Sequence, residues 1–411
     1  MFRRDFLKTG SLLGLGSSLP AFLANSAYAT PNAEKPGAKD TILVVVQFTG
    51  GNDGLNTVIP YADEEYAKLR PTLKIAKDRV KKLNDHVGLH PSMTGMAELY
   101  EEKSLCVVQG VGYPNPSQSH FRSMDIWQAA STAETLNEGW LGKALKELKA
   151  PSFHIANDGE SSPLAFSGAP VRVPSVKNLE DFQLKMTAAN GSEKEGQRKL
   201  LGEVSQGSST AGNSNNLLQF VQRTALNTYA SSDKLQEIGK NYQPKSPYPQ
   251  SPLANKLRLC AQLIDGGLGT RIFYLSIDGF DTHANQGGAN GAHANLLAQV
   301  SGAITAFYKD LSARGHKDRV LIMTFSEFGR RAKENGSKGT DHGSGAPMFL
   351  VGGKVNAGVL GDHPSLTQLE MGNLKHNLDF RQVYAAVLDQ WLGVSSRKVL
   401  SGDFSAAKIL V

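Results

Sequence analysis

Short apolar runs alternate along the chain with longer segments in which apolar residues recur every three or four positions. The first run, residues 41–48, is nearly all apolar and β-branched, as expected for a strand buried on both faces. Residues 292–313 form a long segment with helical spacing. This alternation predicts the α/β class, with a mainly parallel sheet sandwiched by helices.

The boundaries of the elements follow from where each pattern begins and ends. Strands are predicted at residues 41–48, 104–111, 270–277, 319–325 and 348–351. Helices are predicted at residues 90–103, 119–130, 140–148, 253–268, 292–313 and 380–392. No internal repeat is evident, and we expect residues 30–411 to form a single domain.

The middle of this domain differs from the rest in composition. Residues 157–250 are rich in Ser, Gly, Asn, Lys and Gln, and residues 207–216 contain almost nothing else. We interpret this stretch as an insertion with one or two helices, of which residues 217–229 give the clearest pattern. It could cap an active site, bind a partner or form a solvated decoration of the domain.

The N-terminus has the features of an export signal. Arg3-Arg4 precede an apolar, glycine-rich stretch at residues 12–24, and Ala27-Tyr28-Ala29 offers a cleavage site between small residues. The apolar stretch is shorter than the ~20 residues that span a bilayer. We therefore predict that residues 1–29 are a twin-arginine signal peptide. The mature protein would be periplasmic or secreted, exported already folded, without a stable membrane span.

Charge and cysteine content exclude some classes of function. The full chain has a net charge of +6, and its basic residues form no long run, so nucleic acid is not expected as a partner. Its cysteines, Cys106 and Cys260, are too few for a disulfide framework. Both lie in apolar patterns and are predicted to be core residues.

Carboxylates, imidazoles and hydroxyls follow the predicted strands at the points where the strands end. In open α/β sheets, ligands bind beyond the carboxyl ends of the strands, so these side chains are expected to converge. They are Asp53 after the first strand, Ser117, Ser119 and His120 after the second, Asp278, Asp281 and His283 after the third, and Glu327, Asp341 and His342 after the fourth.

Such a combination indicates metal-assisted ester hydrolysis. Carboxylates and neutral imidazoles suit zinc, manganese or a similar divalent ion, and two ions can clamp the oxygens of a phosphoryl or sulfuryl displacement. A serine at a helix start gains from the amide dipoles and from a nearby metal. We predict Ser119 and His120 as catalytic residues and, as metal ligands, Asp53, Asp278, Asp281, His283, Glu327, Asp341 and His342.

Several of these residues have a plainer alternative. Asp53 could cap an ordinary Asn-Asp-Gly turn, and Ser119 could be only a helix N-cap while Ser117 is the nucleophile. Arg330 could hold an anionic substrate or lie on a solvated face. Asp278 could orient His283 without binding metal itself, and Asp341 could be only the sequence neighbour of His342. His120 could be a base, an anion binder or a bystander.

A set of ordered motifs resembles a known family. The chain contains FTGGNDGLNTVIPY, LRPTL, GLHPSM, VGYPNPSQSHFRSMDIW, DGFDTH, FSEFGRR and GTDHGSGAP. With the twin-arginine leader, these motifs resemble the bacterial family called domain of unknown function 1501, which is grouped with the alkaline phosphatase-like superfamily. The resemblance covers nearly the whole mature chain. It implies a parallel-sheet α/β core with helices on both faces and a metal site at the strand ends.

The same resemblance implies roles for individual positions. Asp53 matches the metal aspartate that follows the first strand, and Ser119 or Ser117 falls where the helix-start nucleophile lies. The segment 278–283 is similar to an aspartate-histidine ligand pair, and His342 falls where a later loop histidine completes a site.

Three features depart from the superfamily pattern, one of which is a shorter aspartate-to-histidine interval in DGFDTH. Glu327-Phe328 stands where an aspartate-histidine pair is usual, which removes one imidazole. The sulfatase Cys/Ser-x-Pro-Ser-Arg motif is not intact, which disfavours a standard sulfatase.

The chain is therefore expected to be an exported, metal-dependent hydrolase of phosphate or sulfate esters that uses a serine nucleophile and two divalent ions. Its expected partners are a small anionic ester and the twin-arginine export machinery. The alternative is a catalytically silent periplasmic binding or assembly protein that retains the fold.

Overall fold

The computed structural model describes residues 40–179 and 237–411. Its strands are β1 (Ile42–Phe48), β2 (Val58–Ile59), β3 (Lys81–Lys82), β4 (Gly88–Leu89), β5 (Leu105–Gly112), β6 (Ser152–Ile155), β7 (Ser175–Val176), β8 (Ile272–Ile277), β9 (Val320–Ser326), β10 (Ala346–Gly352), β11 (Gly358–Leu360) and β12 (Leu378–Asp379). Its α-helices are α1 (Gly54–Thr57), α2 (Glu64–Leu69), α3 (Thr94–Glu101), α4 (His120–Ala129), α5 (Trp140–Leu148), α6 (Pro252–Asp265), α7 (Ala292–Ala313), α8 (Phe380–Ala386) and α9 (Ser396–Leu400).

The central sheet is mostly parallel, as the sequence predicts. Its strand order is β11-β5-β10-β9-β1-β8-β6-β7, with β12 also beside β5. Only β10 runs antiparallel to its neighbours, β5 and β9. A small antiparallel sheet, β2-β4-β3, lies apart from it. The α/β class with a mainly parallel sheet is confirmed.

Helices cover both faces of the sheet, which explains why β1 is apolar at every position except Gln47. Val44 and Val46 pack into one apolar cluster, which also contains residues of α3, α6 and α7. Leu43 and Val45 point the other way, into a cluster with residues of α4, α5 and α8. Successive side chains of a strand alternate between its faces, so burial on both faces requires a continuous apolar run.

Each predicted strand and helix outside residues 180–236 is present in the structure, although the helix predicted at 90–103 spans only Thr94–Glu101. The sequence did not predict the short helices α1, α2 and α9 or the strands β2, β3, β4, β6, β11 and β12. Helix α7 has the predicted limits, residues 292–313. Helix α6 ends at Asp265 and not at 268, because Gly267 adopts a left-handed φ of 68°. The predicted closing helix, 380–392, is α-helical only to Ala386 and continues as the π-helix Val387–Leu392.

The predicted insertion is only partly within the described residues. Its first part contains a 3-10 turn, Leu164–Phe166, and the edge strand β7, which the sequence did not predict. Residues 180–236, with the predicted helix at 217–229, lie outside the described residues, as does the predicted signal peptide. Within the described ranges, no helix is long and apolar enough to cross a bilayer. Cys106 and Cys260 are both buried and unpaired, in agreement with their prediction as core residues.

Candidate metal centre

The carboxyl ends of β1, β8 and β9 lie side by side at one edge of the sheet, because these strands are neighbours and run parallel. The loops after β8 and β9 and the first residue of α4 bring four side chains together at this edge. They are His120, Asp281, His283 and His342, which we call the histidine–aspartate cluster. The sequence predicted that all four would take part in one site.

Asp281 Oδ1 lies at the centre of the cluster. The Nε2 atoms of His283, His342 and His120 are 3.1, 3.3 and 3.5 Å from it, respectively. The Nε2 atoms of His283 and His342 are 2.9 Å apart. Three imidazoles thus present the same ring nitrogen to one carboxylate oxygen.

The other ring nitrogen of each imidazole, Nδ1, lies close to a hydrogen-bond acceptor. His120 Nδ1 lies 2.8 Å from Glu327 Oε1, His342 Nδ1 lies 2.8 Å from the Gln118 carbonyl, and His283 Nδ1 lies 3.3 Å from Asp341 Oδ1. These acceptors assign the proton to Nδ1, so that each neutral ring offers the Nε2 lone pair to the centre of the cluster. Glu327 and Asp341 are therefore partners of histidines and not members of the inner set.

His120, Asp281 and His342 each bring one ligand atom within 4.8 Å of the other two, an arrangement that fits a single divalent ion. His283 Nε2 lies beside them, at 3.1 Å from Asp281 Oδ1. Lone pairs that face one another at 2.9 Å repel, and a cation between them removes that repulsion. His120 Nε2 is buried and has no hydrogen-bond partner among the described residues. Ligands at about 2.0–2.1 Å from a tetrahedral zinc ion are about 3.4 Å apart, close to the separations found around Asp281 Oδ1. The outer acceptors are the partners that metal-bound histidines normally have.

Arg330 holds Asp281 in place from the protein side. Its Nη2 donates to Asp281 Oδ1 at 2.7 Å, and its Nε and Nη1 donate to the carbonyls of Gly51 and Thr340, each at 2.7 Å. Burial disfavours ionisation of Asp281, but the hydrogen bond and charge of Arg330 outweigh it and lower the pKa of this carboxyl. With only 1% of its surface exposed, Arg330 is neither on a solvated face nor free to hold a substrate.

Two of the histidines differ in their tendency to bind a proton. The hydrogen bond to Glu327 raises the pKa of His120, against the effect of burial. Burial lowers the pKa of His342, which favours its neutral form. Because an imidazole must be neutral to bind a metal, the affinity of the cluster for a metal is expected to fall in acid.

Asp53 lies outside the cluster, in a buried ion pair. Its carboxylate accepts from Arg70 Nη1 at 2.6 Å and Nη2 at 2.8 Å, and from Gln286 Nε2 at 2.5 Å. Burial opposes its ionisation, but the charge and hydrogen bonds of Arg70 lower the pKa of Asp53 to about 2. Both oxygens are thus engaged by protein donors. Although Arg70 is part of the LRPTL motif, nothing in its spacing from Asp53 indicates this pairing.

Asp278 also lies apart from the cluster. It is exposed just after β8, and no hydrogen bond or ion pair joins it to another side chain among residues 40–179 and 237–411. Of the seven predicted ligands, the structure gathers Asp281, His283 and His342 in the inner set. His120, predicted as catalytic, completes that set.

The two serine candidates differ in their surroundings. Ser119 is exposed at the N-cap of α4, and its side chain makes no capping hydrogen bond. Ser117 is half-buried, and its Oγ accepts from the Ser119 backbone N–H at 3.3 Å. The Ser119 hydroxyl is therefore the freer of the two, and it directly precedes His120.

Several solved structures match most of this chain at low sequence identity. The C-terminal periplasmic domain of EcEptC from Escherichia coli, in complex with Zn, is 12% identical over 77% of this chain and 74% of its own, with a TM-score of 0.35. The PsFucS1 sulfatase from Pseudoalteromonas sp. is 13% identical over 94% and 76%, with a TM-score of 0.37. The lipoteichoic acid synthase LtaP from Listeria monocytogenes is 10% identical over 87% and 80%, with a TM-score of 0.29. Similarity at this level does not assign a function.

The sequence comparison is more specific than the structural one. No functionally curated protein matches the chain. A family profile matches residues 39–401, which is most of the chain and contains every residue of the cluster. The chain belongs to the family described as "Protein of unknown function (DUF1501)".

Proposed function

We propose that this protein is an exported hydrolase of phosphate or sulfate esters that depends on one divalent metal ion. The observation that carries the proposal is the convergence of three imidazole Nε2 atoms on Asp281 Oδ1. One of these imidazoles, His120, directly follows an exposed serine at a helix start. No other described group of His, Cys, Asp or Glu side chains brings three ligand atoms within 4.8 Å of one another. For this reason we propose one ion and not the two expected from the sequence.

In this proposal, the inner set of the cluster holds the ion. His120, His283 and His342 supply nitrogen ligands, and Asp281 supplies oxygen. Glu327 and Asp341 keep the protons of their histidine partners on Nδ1. When bound, a zinc or manganese ion acts as a Lewis acid toward an ester oxygen and stabilises negative charge.

Ser119 is the proposed nucleophile. It lies at the start of the ten-residue helix α4, where backbone N–H groups favour an anionic group. Its oxygen would form a bond to phosphorus or sulfur while the bond to the ester oxygen breaks, and the serine proton would leave with the alcohol. Water would then hydrolyse the serine ester and regenerate the hydroxyl.

The proposal extends to the location and partners of the protein. The twin-arginine leader supports export to the periplasm or beyond by the twin-arginine machinery, in the folded state. The substrate would be a small anionic ester, because phosphate and sulfate monoesters and phosphodiesters share the charge that the helix start favours. Nucleic acid is not a proposed partner.

A matched pair of aspartate variants tests the metal site. Asp281→Asn should lower the metal content of the purified mature protein from about one ion per chain to a small fraction of that. Asp278→Asn, three positions earlier in the same loop, should retain the native metal content. Elemental analysis of the folded proteins measures the metal content. Equal metal content in the two variants would rule out Asp281 as a ligand.

Activity measurements test the reaction. Native protein should hydrolyse at least one member of a panel of aryl phosphates, phosphodiesters and aryl sulfates, and Ser119→Ala should reduce kcat at least 100-fold. Ser117→Ala is the control and should stay close to native. Native-like rates in Ser119→Ala would exclude this serine as the nucleophile. A well-folded protein without metal and without turnover would favour the alternative, a silent binding or assembly protein.

A further inference from the structure

A cavity of about 810 Å³ lies between the small sheet and the edge of the central sheet where β11 pairs with β5. None of its wall residues belongs to the histidine–aspartate cluster. Four carboxylates contribute to the wall, and no lysine or arginine does. They are Asp63, Glu64, Glu65 and Asp362. The cavity is thus a separate, acidic feature of the molecule.

Gln109, another wall residue, has an unused acceptor. Its side-chain Nε2 donates to the Gly361 carbonyl at 2.7 Å, which fixes the orientation of the amide. Its Oε1 is buried and has no hydrogen-bond partner among the described residues, although only 5% of Gln109 is exposed. A buried acceptor without a partner costs free energy, and a ligand that donates to it would recover that cost.

A β-bulge places this glutamine. Val108 and Val111 of β5 pair with Met348 and Ala346 of β10, so that β5 has one residue more than its partner between the two pairs. Gly110 supplies the left-handed φ of 59° that the bulge requires. Bulges redirect side chains at the edges of sheets and near binding sites, and this one directs Gln109 into the wall of the cavity.

Besides the amide N–H₂ of Asn84, which can donate, the wall offers further acceptors that no described residue engages. His363 Nδ1 donates to the Pro364 carbonyl at 2.8 Å, which leaves its Nε2 as an acceptor. The carboxylates of Glu64 and Asp362 form no hydrogen bond or ion pair with the rest of the described chain. A suitable ligand therefore carries positive charge and N–H donors.

The spacing of these acceptors distinguishes an organic cation from a metal ion. In the described chain, only the histidine–aspartate cluster brings three such ligand atoms within 4.8 Å, so the wall carboxylates do not converge on one point. The volume is typical of small-molecule sites. Val87, Val359 and Leu366 add apolar surface to the wall. We propose that this cavity binds an aliphatic ammonium group, either of a free amine or of a lysine side chain.

Calorimetric titration of the full mature protein, with its metal site intact, tests the proposal. Cadaverine and Nα-acetyl-lysine amide represent the two sources of the ammonium group, and 1,5-pentanediol is the uncharged control. At least one of the two amines should bind, and the diol should not. Tighter binding of cadaverine would identify a free amine as the ligand, and tighter binding of the lysine amide would identify a side chain. Failure of both amines at millimolar concentration, or equal binding of the diol, would overturn the proposal.

Three variants locate the binding. Glu64→Gln and Asp362→Asn should each weaken amine binding at least fivefold, whereas Glu101→Gln, an exposed carboxylate outside the cavity, should leave it unchanged. Gln109→Met should weaken binding to a similar extent, because it removes the unsatisfied acceptor; it also removes the hydrogen bond to the Gly361 carbonyl, so circular dichroism should first show that the variant is folded. Unchanged affinity in all three cavity variants would place the amine elsewhere and refute the proposal.

Discussion

At the scale of single residues, the role of a carboxylate depends on the partner that the fold gives it. Asp53 and Asp281 both follow strands at the same edge of the sheet, and both meet an arginine. Arg70 engages both oxygens of Asp53 within a fully buried pair. Arg330 engages one oxygen of Asp281, whose side chain remains 48% exposed. Both oxygens of the first carboxylate are therefore occupied by protein donors, whereas the second carboxylate is partly exposed and its Oδ1 faces three imidazoles as well as Arg330.

The buried pair leads to a prediction on stability. Asp53→Asn leaves the Arg70 charge buried without a partner and should lower the free energy of unfolding by about 3–5 kcal/mol. The control is Asp403→Asn in the exposed pair with Arg397, where both side chains are more than 70% exposed and the loss should stay below about 1 kcal/mol. Urea unfolding measures both values. Similar small losses would show that the Asp53–Arg70 pair does not stabilise the fold.

His293 leads to a prediction on pH. Burial lowers its pKa to about 4, whereas an unfolded chain titrates at about 6.5. The unfolded state therefore binds more protons between these values, and stability is lost as the pH falls from about 6.5 to about 4, by about 3 kcal/mol.

Urea unfolding across this pH range, with a chelator to remove metal, measures the effect. His293→Gln should show a shallower dependence on pH than the native protein. His86→Gln, a change at an exposed histidine, should show the native dependence. A native slope in His293→Gln would contradict the assignment.

At the scale of elements, the site depends on loops that pass very close to one another. Gly50, in the turn after β1, has a φ of 116° and donates its N–H to Glu327 Oε1 at 2.8 Å. A Cβ atom at this position would lie 2.4 Å from the Asp281 backbone nitrogen. The turn after β1 thus sets the position of the loop that carries Asp281.

Gly50→Ala should therefore weaken metal binding at least tenfold and lower stability by more than about 2 kcal/mol. The matched control is Gly267→Ala, which also has a left-handed φ, of 68°, but no atom within 4 Å of the added Cβ. Gly267→Ala should lower the free energy of unfolding only by the backbone strain, about 1 kcal/mol, and this variant should retain native metal affinity. Competition with a chelating dye measures affinity. Native affinity in Gly50→Ala would show that the close approach does not position Asp281.

At the scale of the whole molecule, the paired arginines at the N-terminus are expected to direct export of the folded protein. Replacement of Arg3 and Arg4 by lysine should keep the precursor in the cytoplasm, because the paired arginines identify the export route. Immunoblots of cell fractions measure this, and Lys8→Gln is the control that should still be exported. Equal export of the lysine variant would indicate another route.

The sequence by itself determined the α/β class and the positions of the long central strands and of the larger helices, as well as which side chains follow the strands. These properties are local: apolar periodicity follows from the faces that an element buries, and the strand ends follow from the turns. The sequence also predicted that His120, Asp281, His283 and His342 lie close together, because the carboxyl ends of parallel strands share an edge of the sheet.

Only the tertiary structure decided which partner each of these side chains has. The pairing of Asp53 with Arg70, the burial of Arg330 behind Asp281 and the position of Glu327 behind His120 join residues that are distant in the chain. No periodicity or spacing encodes such contacts, because they depend on how loops from different strands pack against one another. The same packing separates one convergent donor set from a longer series of carboxylates, which is why we propose one metal ion instead of two.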